Sequence, residues 1–330
     1  MIETIRTLTE TYGPSGHEDQ IRDVVLKMID DLTDEKPTVD ALGNIIAWQR
    51  SAKAGVPVIM LAAHIDEIGL MVTHVDKEGF MRFTNIGGML PNTLHGNRVL
   101  FADGTIGAIG IDSNYRRGHP GLDQLFIDLS GQKHKIGVGD AAGLHRELVV
   151  NGERLIGKSL DDRIGVAVQI EVMRQLKDKK LPVDVAYTFS VQEEVGVRGA
   201  TTAAYGIQPH YGIAIDVTGT GDTANGAKME VGLGKGPAIK IKDTGMLSAP
   251  EVIAMLEKAA KKARVKTQRE VLTGGSTDAR AIQLTGAGVK AGALSIPCRY
   301  VHTTSEMVDM NDVEGAVKML VALLQTKAPV

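Results

Sequence analysis

Five stretches of this chain carry residues that could bind cations: His64-Ile-Asp66, Asp161-Asp162, Glu193-Glu194, Asp216 and His302. Imidazole nitrogen and carboxylate oxygen are ordinary donors for zinc, cobalt or manganese. A carboxylate left over from ligation can take a proton from water. Taken together the residues suit hydrolysis assisted by two divalent cations, with one carboxylate able to bridge them and another free to act as base.

Each stretch also has a local reading. His64 and Asp66 are two apart on or just beyond a strand, so their side chains leave the same face and the carboxylate can polarise the imidazole. Asp161 precedes a helix, where an aspartate can cap free amides; it can instead bridge two cations while Asp162 takes the cap. Glu193 and Glu194 leave an extended segment in opposite directions, so one can bind a cation while its neighbour faces a water. Side by side the two acids otherwise repel. Asp216 closes an apolar run, where an unpaired buried carboxylate is costly. His302 follows the apolar run 291–296 and, alone, reads first as a structural histidine. His17, His74, His95, His119, His134, His145 and His210 lack partners at ligand spacing.

Three of these stretches end β-branched apolar runs that read as buried strands: Val56 to His64, Val183 to Val191 ahead of the Glu pair, and Tyr211 to Asp216. In open α/β sheets, functional residues collect at the carboxyl ends of strands. Helical patterning is expected to Tyr12, from His17 to Leu32, and from Arg163 to Leu176, with a Gly13-Pro14-Ser15-Gly16 break between the first two. Later, strands and helices alternate, which predicts a mainly parallel central sheet. Ser248-Ala-Pro-Glu251 and Asn311-Asp-Val-Glu314 read as capping boxes at helix starts.

Between Leu70 and Ile156 the texture changes to short apolar runs cut by turns such as Asp76-Lys-Glu-Gly79 and Asp103-Gly104. That pattern predicts a small all-β, barrel-like unit inserted into the α/β domain. The expected division is 1–69 and 157–330 for the α/β domain and 70–156 for the insertion. Gly232-Leu-Gly-Lys-Gly236 matches no complete phosphate loop and reads as a tight backbone approach. Gly274-Gly-Ser-Thr-Asp278 reads either as a helix cap or as a substrate-binding loop.

The net charge of −3, with both signs interspersed, gives no electrostatic footprint for nucleic acid. The basic stretch 258–266 falls on the solvated face of an amphipathic helix. The single cysteine, Cys298, excludes an intramolecular disulfide and suits a reducing cytoplasm. The first residues do not form a secretory signal, and no apolar run is long enough to span a membrane.

With these residues assembled, the chain resembles the tetrahedral aminopeptidases of metallopeptidase family 42, some of which are labelled glutamyl aminopeptidases or endoglucanases. The motifs span nearly the whole chain: Ser15-Gly-His-Glu18, His64-Ile-Asp-Glu-Ile-Gly69, Leu160-Asp-Asp-Arg-Ile-Gly165, Gln192 to Ala200, Thr277-Asp-Ala279 and Arg299-Tyr-Val-His302. The resemblance implies a peptidase-type catalytic domain that associates through the inserted β domain into dimers and then a hollow homododecamer. It implies two divalent ions, zinc or cobalt, with His64 and Asp216 on one, Glu194 and His302 on the other, and Asp161 bridging. Glu193 would be the general base acting on a metal-bridging water, and Asp66 would orient His64. The expected activity is removal of N-terminal residues from short peptides with a free amine, in the cytoplasm.

Other readings follow from the same residues. A related di-metal amidase or carboxypeptidase would not need the substrate's free amine. An endoglucanase is disfavoured, because adjacent Glu193 and Glu194 cannot flank a glycosidic bond at the roughly 5 to 9 Å required. A non-catalytic metal-binding shell would have no use for Glu193. Arg116-Arg117 could attract acidic peptides or be merely a solvated turn.

Overall fold

The structure is a computed structural model describing residues 1–116, 118–131 and 134–328. Arg117, half of the basic pair noted above, lies outside the described residues.

An eleven-stranded sheet forms the larger unit. Its main run follows the order β1 (Thr38–Val39), β2 (Ile45–Gln49), β12 (Asp184–Ser190), β3 (Val58–His64), β13 (Tyr211–Thr218), β16 (Lys290–Arg299), β17 (Glu306–Asp309), β11 (Arg154–Gly157) and β10 (Val149–Asn151). β14 (Ala238–Lys242) pairs with β16, and β15 (Gln268–Val271) with β14. The four central strands β12-β3-β13-β16 are parallel. The flanks are antiparallel, apart from the parallel β14–β15 pair at one edge. The sheet is therefore mixed, and the expected parallel arrangement describes its centre, where crossover helices cover both faces.

Alternation along the strands decides what each helix covers. Ile59, Leu61 and Ala63 of β3 enter the main core with Ile164, Ala167 and Val168 of α3 (Leu160–Leu176). Met60 and Ala62 pack on the other face, against Ala200, Ala203 and Ala204 of α4 (Arg198–Ile207) and Ile282 of α6 (Asp278–Gln283). α1 (Ile2–Glu10), α2 (Asp19–Ile29) and α7 (Met310–Leu324) contribute to the main core, and α5 (Pro250–Ala263) joins it through Val252 and Leu256.

The second unit is a closed barrel of β4 (Gly69–Val75), β5 (Met81–Ile86), β8 (Leu125–Asp128), β7 (Ile106–Ile111), β6 (Arg98–Phe101) and β9 (Ala141–His145). It buries its own core, including Leu70, Val72, Met81, Val99 and Ile127. The barrel thus ends at His145, short of the expected limit near 156. Residues 149–157 form the β10-β11 hairpin, and Leu155 pairs with Val308 of β17 in the large sheet.

Two helix starts differ from expectation. The Ser248 hydroxyl donates to the carbonyl of Lys240 at 2.5 Å, so α5 begins at Pro250 without a side-chain cap. α7 is capped by Asp309, whose carboxylate accepts the Asn311 N–H at 2.8 Å, rather than by Asn311 itself. At 277–278 the capping alternative is realised: Thr277 accepts the N–H of Ala279 at 3.3 Å.

Candidate active site

Strand register brings the scattered residues together. Ser190, the last residue of β12, lies opposite His64. On the other side of β3, Ala62 pairs with Ala214 of β13, which puts Asp216 beside His64. Both side chains continue the face that carries Met60, Ala62 and Ala214, away from α3. Asp161 enters from the first residues of α3, Glu193 and Glu194 from the loop after β12, and His302 from the turn between β16 and β17. The sequence-predicted ligands therefore converge from five separate segments.

Asp161 stands at the centre. Its Oδ1 lies 3.1 Å from His64 Nε2 and its Oδ2 lies 3.3 Å from His302 Nε2. His302 Nε2 is also 3.1 Å from Glu194 Oε2. The Asp161–Asp162 peptide is cis. Asp162 takes the backbone role foreseen for it: it accepts the N–H of Gly165 at 3.1 Å and that of His64 at 3.3 Å. The two members of the glutamate pair differ in access. Glu193 is 12% exposed, with Oε2 4.0 Å from His64 Nε2, whereas Glu194 is 4% exposed. Of the two, Glu193 is the more exposed.

A supporting layer fixes these groups. His64 Nδ1 donates to the backbone carbonyl of Asp66 at 3.1 Å, which leaves Nε2 to face the cluster. The Asp66 carboxylate is 3.5 Å from the same Nδ1, so backbone and side chain of Asp66 both orient the ring. Glu306, unremarked in the sequence, accepts the N–H of Asp161 at 2.9 Å and that of His302 at 2.8 Å. From the barrel, Gly87 and Gly88 close on the cluster: a Cβ at Gly87 would stand 3.1 Å from Glu194 Cβ, and one at Gly88 would stand 3.2 Å from His302 Nδ1. The bare backbone there lets the inserted unit touch the site. A cavity of about 370 Å³ opens beside His302, lined by Gly88, Met89, Leu90 and Val301 among others.

The electrostatics show an excess of buried acid. Burial, with Asp216 and Asp278 nearby, holds Glu193 well above the usual carboxylate range. Asp216 is likewise raised by burial and Asp161, and Glu194 by the same two causes. Burial lifts Asp278 to about 6 and Glu306 to about 8. Asp161 goes the other way: burial raises it, but hydrogen bonds from His302 and His64 outweigh that and hold it below the usual range. Burial depresses His302, yet Asp161 and Glu194 bring it up to about 11.

These residues fit divalent cations. Ligand atoms of His64, Asp161 and Glu194 lie within 4.8 Å of one another, as do those of His64, Asp162 and Asp216. Glu194 Oε1 is buried with no hydrogen-bond partner among the described residues. Carboxylates crowded in this way repel unless positive charge compensates them, and the histidine protons that now face Asp161 are the ones a cation displaces. Because Asp162 is engaged with two backbone amides, Asp161 remains the freer ligand.

The other glycine-rich candidate is structural. Gly234 and Gly236 N–H donate to Asp312, both at 2.7 Å, and a Cβ at Gly236 would stand 1.9 Å from the Lys266 carbonyl oxygen.

A parallel-centred α/β sheet with a buried carboxylate–imidazole cluster at its strand ends, touched by an inserted barrel, defines a peptidase-type hydrolase. Residues 43–319 match the family described as M42 glutamyl aminopeptidase, and the chain belongs to that family. It is 40% identical over 327 residues to a putative aminopeptidase of Acetivibrio thermocellus, with 97% of each chain covered. The structure of an aminopeptidase from the archaeon Desulfurococcus kamchatkensis superposes with a TM-score of 0.93 at 40% identity, covering 99% of this chain and 95% of that one. The TET1 peptidase of Pyrococcus horikoshii, described as assembling into a tetrahedron or a large octahedral shell, gives 0.88 at 32% identity, with 98% of each covered. The chain is an aminopeptidase, a hydrolase acting on peptides.

Proposed function

We propose that this enzyme uses two divalent cations to remove N-terminal residues from short peptides carrying a free α-amine. The observation that carries the reading is Asp161, whose two oxygens face different histidines at 3.1 and 3.3 Å. His64 and Asp216 would hold one cation, Glu194 and His302 the other, and Asp161 both; zinc and cobalt suit this oxygen and imidazole set. The chemistry that such cations supply when bound is Lewis acidity, which lowers the pKa of water and polarises a carbonyl.

The chain's own residues do the rest. Glu193, the more exposed of the pair, accepts a proton from the attacking water on a carboxylate oxygen and delivers it to the departing amine. Asp66 keeps the His64 ring turned with Nε2 toward the cluster.

Association through the barrel into dimers and a tetrahedral homododecamer completes the proposal, supported by the shape shared with the Pyrococcus horikoshii peptidase. The buried free Cys298 suits a cytoplasmic setting. Among the described residues, no helix is long and apolar enough to cross a membrane.

Metal analysis and a substrate pair test the reading. The purified enzyme should carry two ions per chain, Asp161→Asn should lose both together, and N-acetylation should abolish hydrolysis of an amino-acid anilide. Cleavage of the acetylated substrate at the original rate would favour an amidase. Two ions retained by Asp161→Asn would remove the shared-ligand role.

A further inference from the structure

The Gly13-Pro-Ser-Gly-His-Glu18 segment lies outside the proposed ligand set, yet it is tied into the site. Running between α1 and α2, it passes beside the residues just beyond β3. Pro14 bridges to Glu67, the Ser15 N–H donates to the Glu67 carbonyl at 3.2 Å, and the Glu67 N–H donates to the Gly13 carbonyl at 3.0 Å. Ser15 and Glu18 are buried, at 6% and 5% exposure.

Glu18 reaches the loop that carries the glutamate pair directly, and Ser15 reaches it through Asp66. Four consecutive amides there donate to side chains from the first part of the chain. Val191 N–H donates to Asn44 Oδ1 at 3.0 Å and Gln192 N–H to Glu18 Oε1 at 3.2 Å. Glu193 and Glu194 N–H donate to the two oxygens of Asp66 at 3.0 and 3.2 Å. The acceptors are themselves held: Ser15 Oγ donates to Asp66 Oδ2, and the Gly16 N–H to Glu18 Oε1, both at 2.7 Å. Gln192 has φ +56°, a left-handed conformation that a side-chain-bearing residue keeps only when its surroundings hold it.

We propose that Glu18 is a positioning residue for the peptidase reaction: with Ser15 it sets the backbone of the loop at 192–194 and so aims the Glu193 carboxylate. The assignment rests on reading Glu193 as the base. Asp66 alone could hold the Glu193 and Glu194 amides, but the loop's entry at Gln192 depends on Glu18. Losing that acceptor frees the residue next to the base while leaving the ligand Glu194 pinned. Misplacement by about 1 Å at a reacting group costs on the order of 10²-fold in rate.

The test compares Glu18→Ala, Glu18→Gln and Ser15→Ala with the parent enzyme in its metal-loaded form. Glu18→Ala should lower kcat by roughly 10- to 100-fold with little change in KM, as expected for a misplaced reacting group. Its metal content should stay at the parent level, and amide hydrogen exchange across 191–194 should speed up. Glu18→Gln, which retains an acceptor oxygen, should restore most of the activity and the protection. Parent-like kcat in Glu18→Ala, parallel loss of metal, or no rescue by Glu18→Gln would each overturn the assignment. Should Glu18→Ala fail to fold, Ser15→Ala must lower kcat, and an unchanged value there overturns it as well. Glu193→Gln assayed alongside separates the two levels: full activity removes the base reading itself, whereas an inactive Glu193→Gln beside a fully active Glu18→Ala removes only the positioning role.

Discussion

Glu306 holds the backbone N–H of Asp161 at 2.9 Å while its other oxygen holds that of His302 at 2.8 Å. One buried carboxylate thus sets the spacing of two residues 141 positions apart that face each other across the cluster. His302 has φ +63°, so its turn also needs a fixed partner. Replacing Glu306 by Ala leaves both amides without an acceptor. The expected result is weaker metal binding, measured by competition with a chelator, before any change in the rest of the fold. Parent-like metal affinity in Glu306→Ala would show that the ligands hold their own spacing.

The glutamate pair gives a sharper contrast. Glu193→Gln preserves shape and removes the base, so metal content should persist while turnover drops by roughly 10²- to 10⁴-fold, the usual range for lost acid–base catalysis. Glu194→Gln should instead weaken metal binding first, since Glu194 Oε2 is the atom 3.1 Å from His302 Nε2. If Glu193→Gln loses metal and Glu194→Gln keeps it, the roles are reversed.

These assignments were largely legible because each depends on a residue's own type and on the strand before it. His64 and Asp216 end apolar runs, and parallel register places strand ends side by side. What escaped detection depends on partners distant in sequence. Glu306 acts on backbone amides, which leave no mark in side-chain spacing. The end of the barrel was misplaced because the 149–157 hairpin has the same short, turn-rich texture as the barrel strands, and only its pairing with residues 306–309 reveals its sheet. Ser248 had the form of a cap, but its hydroxyl serves the neighbouring strand. The resemblance carried by the motifs supplied the mechanistic roles; local pattern alone favoured a helix cap for Asp161 over a bridge.

Stability of the metal-stripped enzyme should fall as pH rises from about 4 to 8. Burial lifts Glu18 to about 7, Glu306 to about 8 and Asp278 to about 6. Unfolded carboxyls titrate near 4, so over this window the folded chain retains protons that the unfolded chain has released. The stability they contribute is complete below the unfolded values and is lost as pH rises through the folded ones. His302, raised to about 11 by Asp161 and Glu194 against the opposing effect of burial, acts in the same direction above its unfolded value. Melting temperatures after chelation, at fixed protein concentration, check this. Restoring metal should flatten the slope, because cations replace the protons. Stability rising with pH in the stripped protein would contradict the burial of these acids.

Behind the site, Lys158 Nζ meets Glu67 Oε2 at 2.5 Å, with the two side chains 2% and 1% exposed. Ser159 Oγ donates to the same oxygen, and Glu67 Oε1 accepts the Gly13 N–H at 3.0 Å. The pair joins the segment leading from His64 into the barrel to the segment leading from β11 to Asp161. Burial lowers the Lys158 pKa despite the carboxylate beside it. Lys158→Met leaves the Glu67 charge short of its closest cation, since Arg163 stands 3.9 Å from Oε1. Breaking a buried pair from one side costs about 3 to 5 kcal/mol, more than an exposed pair could. Adding Glu67→Gln to Lys158→Met removes the stranded charge and keeps an acceptor for Gly13, so the double variant should recover more than half of the loss. Denaturant melts of both variants decide the matter: a single substitution costing under about 1 kcal/mol would place this pair with surface ion pairs in energy, and no recovery in the double variant would mean that the loss arises from packing around Lys158 rather than from the uncompensated carboxylate.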